Sequence, residues 1–317
     1  MNKNTIELLA IDGGGTKTLA HLVSADGKIL GKGKSGASNY LVAGVDGAKE
    51  ALNHAILAAF DDAGIKDCRL VDVKKAIFAL AGIDTPKDKI EVDALVQDVI
   101  NTTFIKIEDL IVENDCLSAL LGASENQPSV LLIAGTGSIV FAYDGKGKKV
   151  RSGGWGHRIG DEGGAYWIGK RAIQSVLKAL DGREHETLLS ELILEKLGLS
   201  KIEDLYNWIY SASYSVEKLG SLAVVVDEAN KRGDIVSKRI LNAAAEELTL
   251  LVETILKKID IHEGGFKLIL QGGVLHHNTN IRNQVLQRIQ QKYDKVEIIM
   301  TSEEPIQNII KRGLKFP

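Results

Sequence analysis

The stretch Leu8-Leu9-Ala10-Ile11-Asp12-Gly13-Gly14-Gly15-Thr16-Lys17-Thr18 runs a short apolar segment into a carboxylate, a glycine triplet, a hydroxyl and an amine. Glycines let backbone N–H groups approach a ligand with no side chain in the way, and such a turn presents amides to a phosphate. Asp12, at the end of the apolar run, is placed to hold a hydrated Mg2+ against that phosphate, and Lys17 adds positive charge. Asp-Gly is also a hairpin signal, so these residues alone leave a phosphate loop and a plain tight turn both open. The pattern is neither the Walker loop nor the dinucleotide fingerprint, because another strand (residues 18–24) follows the glycines instead of a helix.

A second stretch has the same make-up. An apolar run at 130–134 turns at Gly135-Thr136-Gly137-Ser138 into a run at 139–143, and a Gly-rich turn leads into a third at 148–151. Residues 6–35 show the same succession, with Asp26-Gly27 as the second turn. A repeated unit is more informative than either loop alone; two hairpins that match by chance are the other reading. Between the copies, Leu110-Ile111-Val112 runs into Glu113-Asn114-Asp115. Phosphoryl transfer needs a group to accept the hydroxyl proton, and a carboxylate at a strand end can do so. Asp115 can equally cap a helix starting at Cys116. Glu113 is assigned no role.

Further on, residues 153–164 hold six glycines in twelve positions, with Trp155, His157, Asp161 and Glu162 among them. Carboxylates accept from hydroxyls and aromatic faces cover C–H faces, which makes this a sugar-binding composition. Asp161 and Glu162 can also be acids favoured at a helix start by its dipole. His157 has no cysteine or histidine at metal-ligand spacing.

These groups need a scaffold. Strands are expected at 6–12, 18–24, 28–34, 75–83, 110–112, 130–134, 139–143, 148–151, 266–270 and 296–301. Helical spacing covers 45–63 (closed by Gly64), 87–101, 116–123, 162–180, most of 166–262, 281–291 and a segment opened by Pro305. A three-strand meander followed by strand–helix alternation indicates a mixed sheet covered by helices. The turns after Ile11, Ala134 and Leu270 fall at carboxyl ends of strands, where open α/β sheets bind ligands.

Bulk properties narrow the class. A 44% hydrophobic, 26% charged chain of 317 residues has room for two domains. A net charge of −3 argues for no nucleic-acid or anionic-membrane partner. No apolar run approaches the roughly 20 residues of a membrane span. No secretory h-region or DNA-binding segment precedes residue 6, so a cytoplasmic protein is expected. The two cysteines, Cys68 and Cys116, make no disulfide framework.

The segments at residues 10–18, Glu113-Asn114-Asp115, 134–138, 153–168 and 270–275 resemble, in order, a known family: the N-acetylglucosamine kinase branch (BadF/BadG-type ATPases) of the actin-like/hexokinase ATPase superfamily. The resemblance implies an α/β fold of two duplicated ribonuclease-H-like (actin-like ATPase) domains with a cleft between them, each a mixed five-stranded sheet flanked by helices. It divides the chain into 1–117 and 118–303, with a helix in 304–317 returning to the first domain. It implies ATP and Mg2+ as cofactors, an amino-sugar substrate and a homodimer. Gly13, Gly14, Gly15, Thr16 and Lys17 match the first phosphate loop, with Asp12 facing the hydrated Mg2+. Gly135, Thr136, Gly137 and Ser138 match the second, and Gly272 and Gly273 the adenosine loop. Ser38, Asn39, Gly154, Trp155 and Asp161 match sugar contacts, and Asp115 the catalytic aspartate, which also touches the sugar.

The implied activity is transfer of the ATP γ-phosphoryl group to a hydroxyl, the 6-hydroxyl being usual, of N-acetylglucosamine or a relative. Ile139 stands where relatives often have Asn, which keeps glucosamine and N-acetylmuramic acid open. Arg158 is placed to meet a lactyl carboxylate or to be a surface charge. The family's iron–sulfur activators carry a cysteine pattern that Cys68 and Cys116 lack, and no cysteines follow Gly156-His157 as in zinc-containing sugar-kinase repressors. The alternative on the same fold is a non-kinase ATPase or a sugar sensor acting on a protein partner.

Overall fold

A computed structural model describes residues 5–67, 69, 71–259, 261, 265–301 and 304–315. Cys68 and the first four residues lie outside the described residues. The chain forms two compact units, Met1–Asn126 with Glu303–Pro317, and Gln127–Ser302.

The first unit comprises β1 (Thr5–Gly13), β2 (Thr18–Val23), β3 (Ile29–Ser35), α1 (Tyr40–Asp62), β4 (Asp72–Leu80), α2 (Pro86–Thr103), β5 (Lys106–Asn114) and α3 (Asp115–Ser124). The sheet order is β3-β2-β1-β4-β5. β1 is antiparallel to β2 and parallel to β4, and β4 is parallel to β5. The continuous apolar run of β1 suits a central strand covered on both faces. Leu9 and Ile11 pack with Leu52, Ile56 and Phe60 of α1, while Leu8 and Ala10 pack against Ile306, Ile309 and Ile310.

The second unit comprises β6 (Ser129–Ala134), β7 (Ser138–Tyr143), β8 (Lys149–Gly153), α4 (Ala165–Leu180), α5 (Leu189–Leu197), α6 (Asp204–Ile209), α7 (Val216–Lys231), α8 (Ile235–Lys258), β9 (Phe266–Gln271), α9 (Gly273–His277), α10 (Thr279–Lys292) and β10 (Val296–Met300). Its sheet order, β10-β9-β6-β7-β8, read from the other edge, has the same connections as the first. The repeat seen in two glycine turns is therefore a repeat of whole sheets. The chain's last helix, α11 (Pro305–Lys315), carries the three isoleucines on β1 and belongs to the first unit.

Several boundaries differ from the expectations. β4 ends at Leu80, three residues before the anticipated end, because the chain turns at Gly82 (φ +90°). α1 starts early, with Asn39 capping through its side-chain oxygen and Leu41 N–H donating, then kinks at Gly44. α4 starts at Ala165, so Asp161 and Glu162 are not in its first turn. The units divide after residue 126, not after 117, since α3 packs along α11 and stays with β5.

Outside the glycine loops, Asp234 ties two helix starts together. Its carboxylate accepts from Ser237 N–H at 2.7 Å, Leu188 N–H at 2.8 Å and Thr187 Oγ1 at 2.8 Å. Burial by itself would raise this carboxyl, but those donors outweigh it and hold it below the usual range. A depressed carboxyl contributes stability above its unfolded value, lost as pH falls through the folded one. Asp234→Ala is expected to cost about 1–2 kcal/mol at pH 7, as for a lost N-cap. Urea midpoints of the variant and the parent should converge as the pH falls below about 3.9.

Candidate active site

In the first unit the carboxyl ends of three parallel strands lie side by side. Gly13 of β1 pairs with Leu80 of β4, and Leu80 with Asn114 of β5. This puts Asp12 and Asp115 on one edge of the sheet with β4 between them. The residues Gly14 to Lys17 close a hairpin, Gly14 N–H donating to Lys17 O at 3.0 Å. The turn is a tight hairpin, and Gly15, Thr16 and Lys17 are exposed at its tip.

The turn is pinned from behind. Gly14 O accepts from Ser38 N–H at 3.0 Å and Asn39 N–H at 3.1 Å, and Gly13 O accepts from Ala81 N–H at 2.8 Å. A Cβ at Gly13 would overlap Ser38 Oγ and stand 2.5 Å from Leu80 Cδ2, so any larger residue there would displace both side chains. Ser38 is 3% exposed, and its Oγ has no partner among the described residues. Asn39 is committed in part to capping α1. The Lys17 amine is not a lone cation at the loop, since it pairs with Glu304 at 2.9 Å.

Asp115 does not cap α3. Asn114 does, its Oδ1 accepting from Cys116 N–H at 3.0 Å and Leu117 N–H at 3.2 Å. Asp115 Oδ1 also accepts from Cys116 N–H, at 2.8 Å. Burial raises the Asp115 carboxyl, against those N–H bonds, with Asp84 adding to the rise. Burial and the Asp115 charge push Asp12 up to about 6. Burial also drives the Cys116 thiol well up, so it is no thiolate nucleophile. Glu113 is turned to structure instead. It forms a buried ion pair with Arg312 of α11, whose guanidinium also donates to Ser118 Oγ at 3.3 Å.

In the second unit the turn after β6 is fastened to the start of α4. Gly135 O accepts from Ala165 N–H at 2.8 Å and Thr136 O from Tyr166 N–H at 3.0 Å. Ser138 Oγ donates to Glu162 O at 2.6 Å. Gly272, at the end of β9, has φ +100°, and a Cβ there would overlap the Ala134 carbonyl and stand 2.9 Å from Gly135 N. Beside these loops lies a cavity of about 660 Å³, lined in part by Gly135, Thr136, Gly273 and Val274.

The glycine-rich segment hangs from the same turn. Gly154 N–H donates to Ser138 O at 3.0 Å. Trp155 is 62% exposed and Arg151 stacks on its ring at 4.6 Å. The Arg151 guanidinium also donates to Gly153 O and Gly154 O, each at 3.1 Å. Asp161 sits in the left-handed region (φ +61°) and accepts from Gly156 N–H at 3.1 Å, with its carboxylate against Gly137. His157 packs edge-on against Tyr166, ring centroids 4.8 Å apart.

A model of the BadF/BadG/BcrA/BcrD ATPase family matches residues 9–310. The chain belongs to this family. It is 34% identical over 294 residues to an N-acetylmuramic acid/N-acetylglucosamine kinase of Clostridium acetobutylicum, covering 92% of this chain and 93% of the relative. It is 33% identical over 308 residues to an N-acetyl-D-glucosamine kinase of Dictyostelium discoideum, covering 94% of each. A crystal structure from Chromobacterium violaceum, provisionally described as an N-acetylglucosamine kinase, superposes with a TM-score of 0.74 at 25% identity over 98% of this chain and 99% of that one.

In this BadF/BadG-type chain the first unit gathers Asp12, the Gly13–Lys17 turn, Ser38, Asn39 and Asp115. The second gathers the Gly135–Ser138 turn, Gly154, Trp155, Asp161, Gly272 and Gly273. Sequence reasoning missed Arg151 and Glu304, which contact these residues, Arg312, which pairs with Glu113 near Asp115, and Asp227, Lys231 and Asn278, which also line the cavity beside Gly135 and Gly273. The Asp227/Lys231 spacing of four on a helix stripe with Gly220, Ala223 and Val224 was a readable signal. Arg151 meets Gly153, Gly154 and Trp155 within four residues, whereas Glu304 and Arg312 depend on contacts remote in sequence. Gly272→Ala, strained by φ and by overlap, is expected to weaken ADP binding at least tenfold by calorimetry while leaving the far-ultraviolet circular dichroism unchanged.

Proposed function

We propose that this chain is an ATP-dependent amino-sugar kinase, moving the γ-phosphoryl group to a hydroxyl, the 6-hydroxyl, of N-acetylglucosamine or a close relative. The observation that carries the reading is Asp115, a half-buried carboxylate whose desolvation raises its pKa, across β4 from Asp12 and a glycine turn, with Asn114 doing the helix capping. The family match supports ATP as the phosphoryl donor, and the relatives named as amino-sugar kinases support the acceptor class.

Asp115 accepts the proton of the attacking hydroxyl, and its raised pKa makes it a stronger base than an exposed aspartate. Ser38 and Asn39 in the first unit, and Gly154, Trp155 and Asp161 in the second, are the candidate sugar contacts of each unit, and each unit's glycine turn binds phosphate through backbone N–H groups. Asp12 fits a hydrated Mg2+: it is a buried oxygen donor whose charge is opposed by burial and by Asp115. Among the described residues no cluster of three or more His, Cys, Asp or Glu side chains is arranged to hold a metal. One carboxylate plus substrate phosphates and water is the ligand set Mg2+ takes in kinases. When bound, Mg2+ neutralises phosphate charge. Among the described residues no helix is long and apolar enough to cross a membrane. A cytoplasmic homodimer is part of the same proposal, and light scattering of the purified protein reads its stoichiometry.

A coupled ADP-release assay with N-acetylglucosamine, glucosamine, N-acetylmuramic acid, glucose and no sugar is the direct test. Turnover is expected with an amino sugar and near background without one; equal release in both would overturn the kinase reading. Asp115→Asn should lower kcat by about 10²- to 10⁴-fold while calorimetry still detects sugar binding. Asp161→Ala should raise the sugar KM and leave that for ATP near its original value.

A further inference from the structure

The cavity beside Gly135 and Gly273 has one apolar wall and one charged end. A single stripe of α7 makes both: Gly220, Ala223 and Val224 line the wall, and the next turns bring Asp227 and Lys231. Asp227 is the only carboxylate in that lining among the described residues. Its side chain is 14% exposed and that of Lys231 is 67% exposed, so a mostly sheltered carboxylate is held by a cation that reaches solvent. Two donors fix it: Asn278 Nδ2 on Oδ1 at 3.0 Å and Lys231 Nζ on Oδ2 at 2.6 Å. Asn278 is fixed in turn, its Oδ1 accepting from Ile281 N–H at 2.9 Å as the cap of α10.

An ionised carboxylate only accepts, at about four lone-pair positions. Asn278 and Lys231 take two, and the ligand that complements the rest brings two donors to one spot. In a nucleotide the vicinal 2′- and 3′-hydroxyls of ribose are such a pair. With that pair on Asp227, the base lies against Gly220, Ala223 and Val224 and the phosphates run toward the glycine turn.

We propose that Asp227 accepts from the ribose 2′- and 3′-hydroxyls and makes this chain select ribonucleotides over deoxyribonucleotides, with Asn278 and Lys231 as positioning residues. The proposal rests on the nucleotide use assigned above. A hydrogen bond to a charged group sets the expected discrimination at about ten- to a hundredfold for each hydroxyl.

ADP, 2′-deoxy-ADP and 3′-deoxy-ADP are titrated into the whole protein by calorimetry without sugar, and KM is measured for ATP and its deoxy forms with the best acceptor. Each deoxy form should bind at least tenfold more weakly. Asp227→Asn should weaken ADP and ATP more than either deoxy form, each of which keeps one hydroxyl for Asp227, and so shrink the ribo-to-deoxy ratio several-fold. Equal affinity for ribo and deoxy forms overturns the proposal, as does no ADP binding, or an Asp227→Asn protein that keeps the original ratio. Inosine triphosphate, which lacks the adenine amine, completes the set. A defect confined to it, with deoxy forms bound like ATP, would assign Asp227 to the base and also overturn the proposal. The analogue comparison on the unaltered protein decides the matter even if the variant does not fold. Failure of the kinase reading shows separately, as ADP release that no sugar stimulates.

Discussion

The carbonyls of Gly13 and Gly14 accept N–H groups from three residues elsewhere in the first unit, and the candidate chemistry there depends on that pinning. A glycine turn left to itself loses more conformational entropy on ordering than any other. Here Ser38, Asn39 and Ala81 hold it from behind, so the turn is fixed by the fold itself. The same contacts set Ser38 and Asn39 against the glycine turn, with Ser38 Oγ in the space a Gly13 Cβ would take. The second unit solves the problem with different partners: Gly135 and Thr136 carbonyls receive the first N–H groups of α4. Those N–H groups have no acceptor within the helix, so helix and turn each satisfy the other.

Charge is arranged around this frame by burial. Asp12 and Asp115 share a sheet edge, and each carboxyl is raised mainly because it is taken out of water. Nearby cations do not cancel that: Lys17 is occupied by Glu304, and Arg312 by Glu113. Burial pushes Arg312 down to about 10, still a cation at neutral pH. A buried pair of this kind is weak evidence of net stability, but breaking it would leave an uncompensated charge. Its place beside Asn114 and Ser118 makes α11 part of the setting of the β5–α3 junction.

Duplication of the sheet did not duplicate the work. Both units share one strand order, yet the first carries the paired carboxylates and the second carries the cavity and the glycine-rich segment. The difference lies in what is inserted. Between its third and fourth strands the second unit has the five helices α4 to α8, where the first has α1 alone among its described elements; α7 brings a small-residue stripe and an acid to the loops of the second sheet, and Asn278, at the start of α10, brings an amide.

Much of this was legible from residues alone. The glycine turns, the strands that lead into them, the repeat, and the strand-end aspartates follow from local pattern, because hydrophobic period and turn chemistry act over a few residues. The sequence by itself determined which side chains stand at strand ends and that the unit recurs. It left undecided whether Asp115 or Asn114 caps α3, since adjacent residues compete for one helix start and only the folded backbone shows whose oxygen meets the N–H groups. It also left open whether Lys17 is unpaired, what Glu113 faces, and which helix brings an acid to the cavity. Those answers belong to tertiary structure, because each joins groups far apart in the chain whose meeting is set by how helices pack on the sheets.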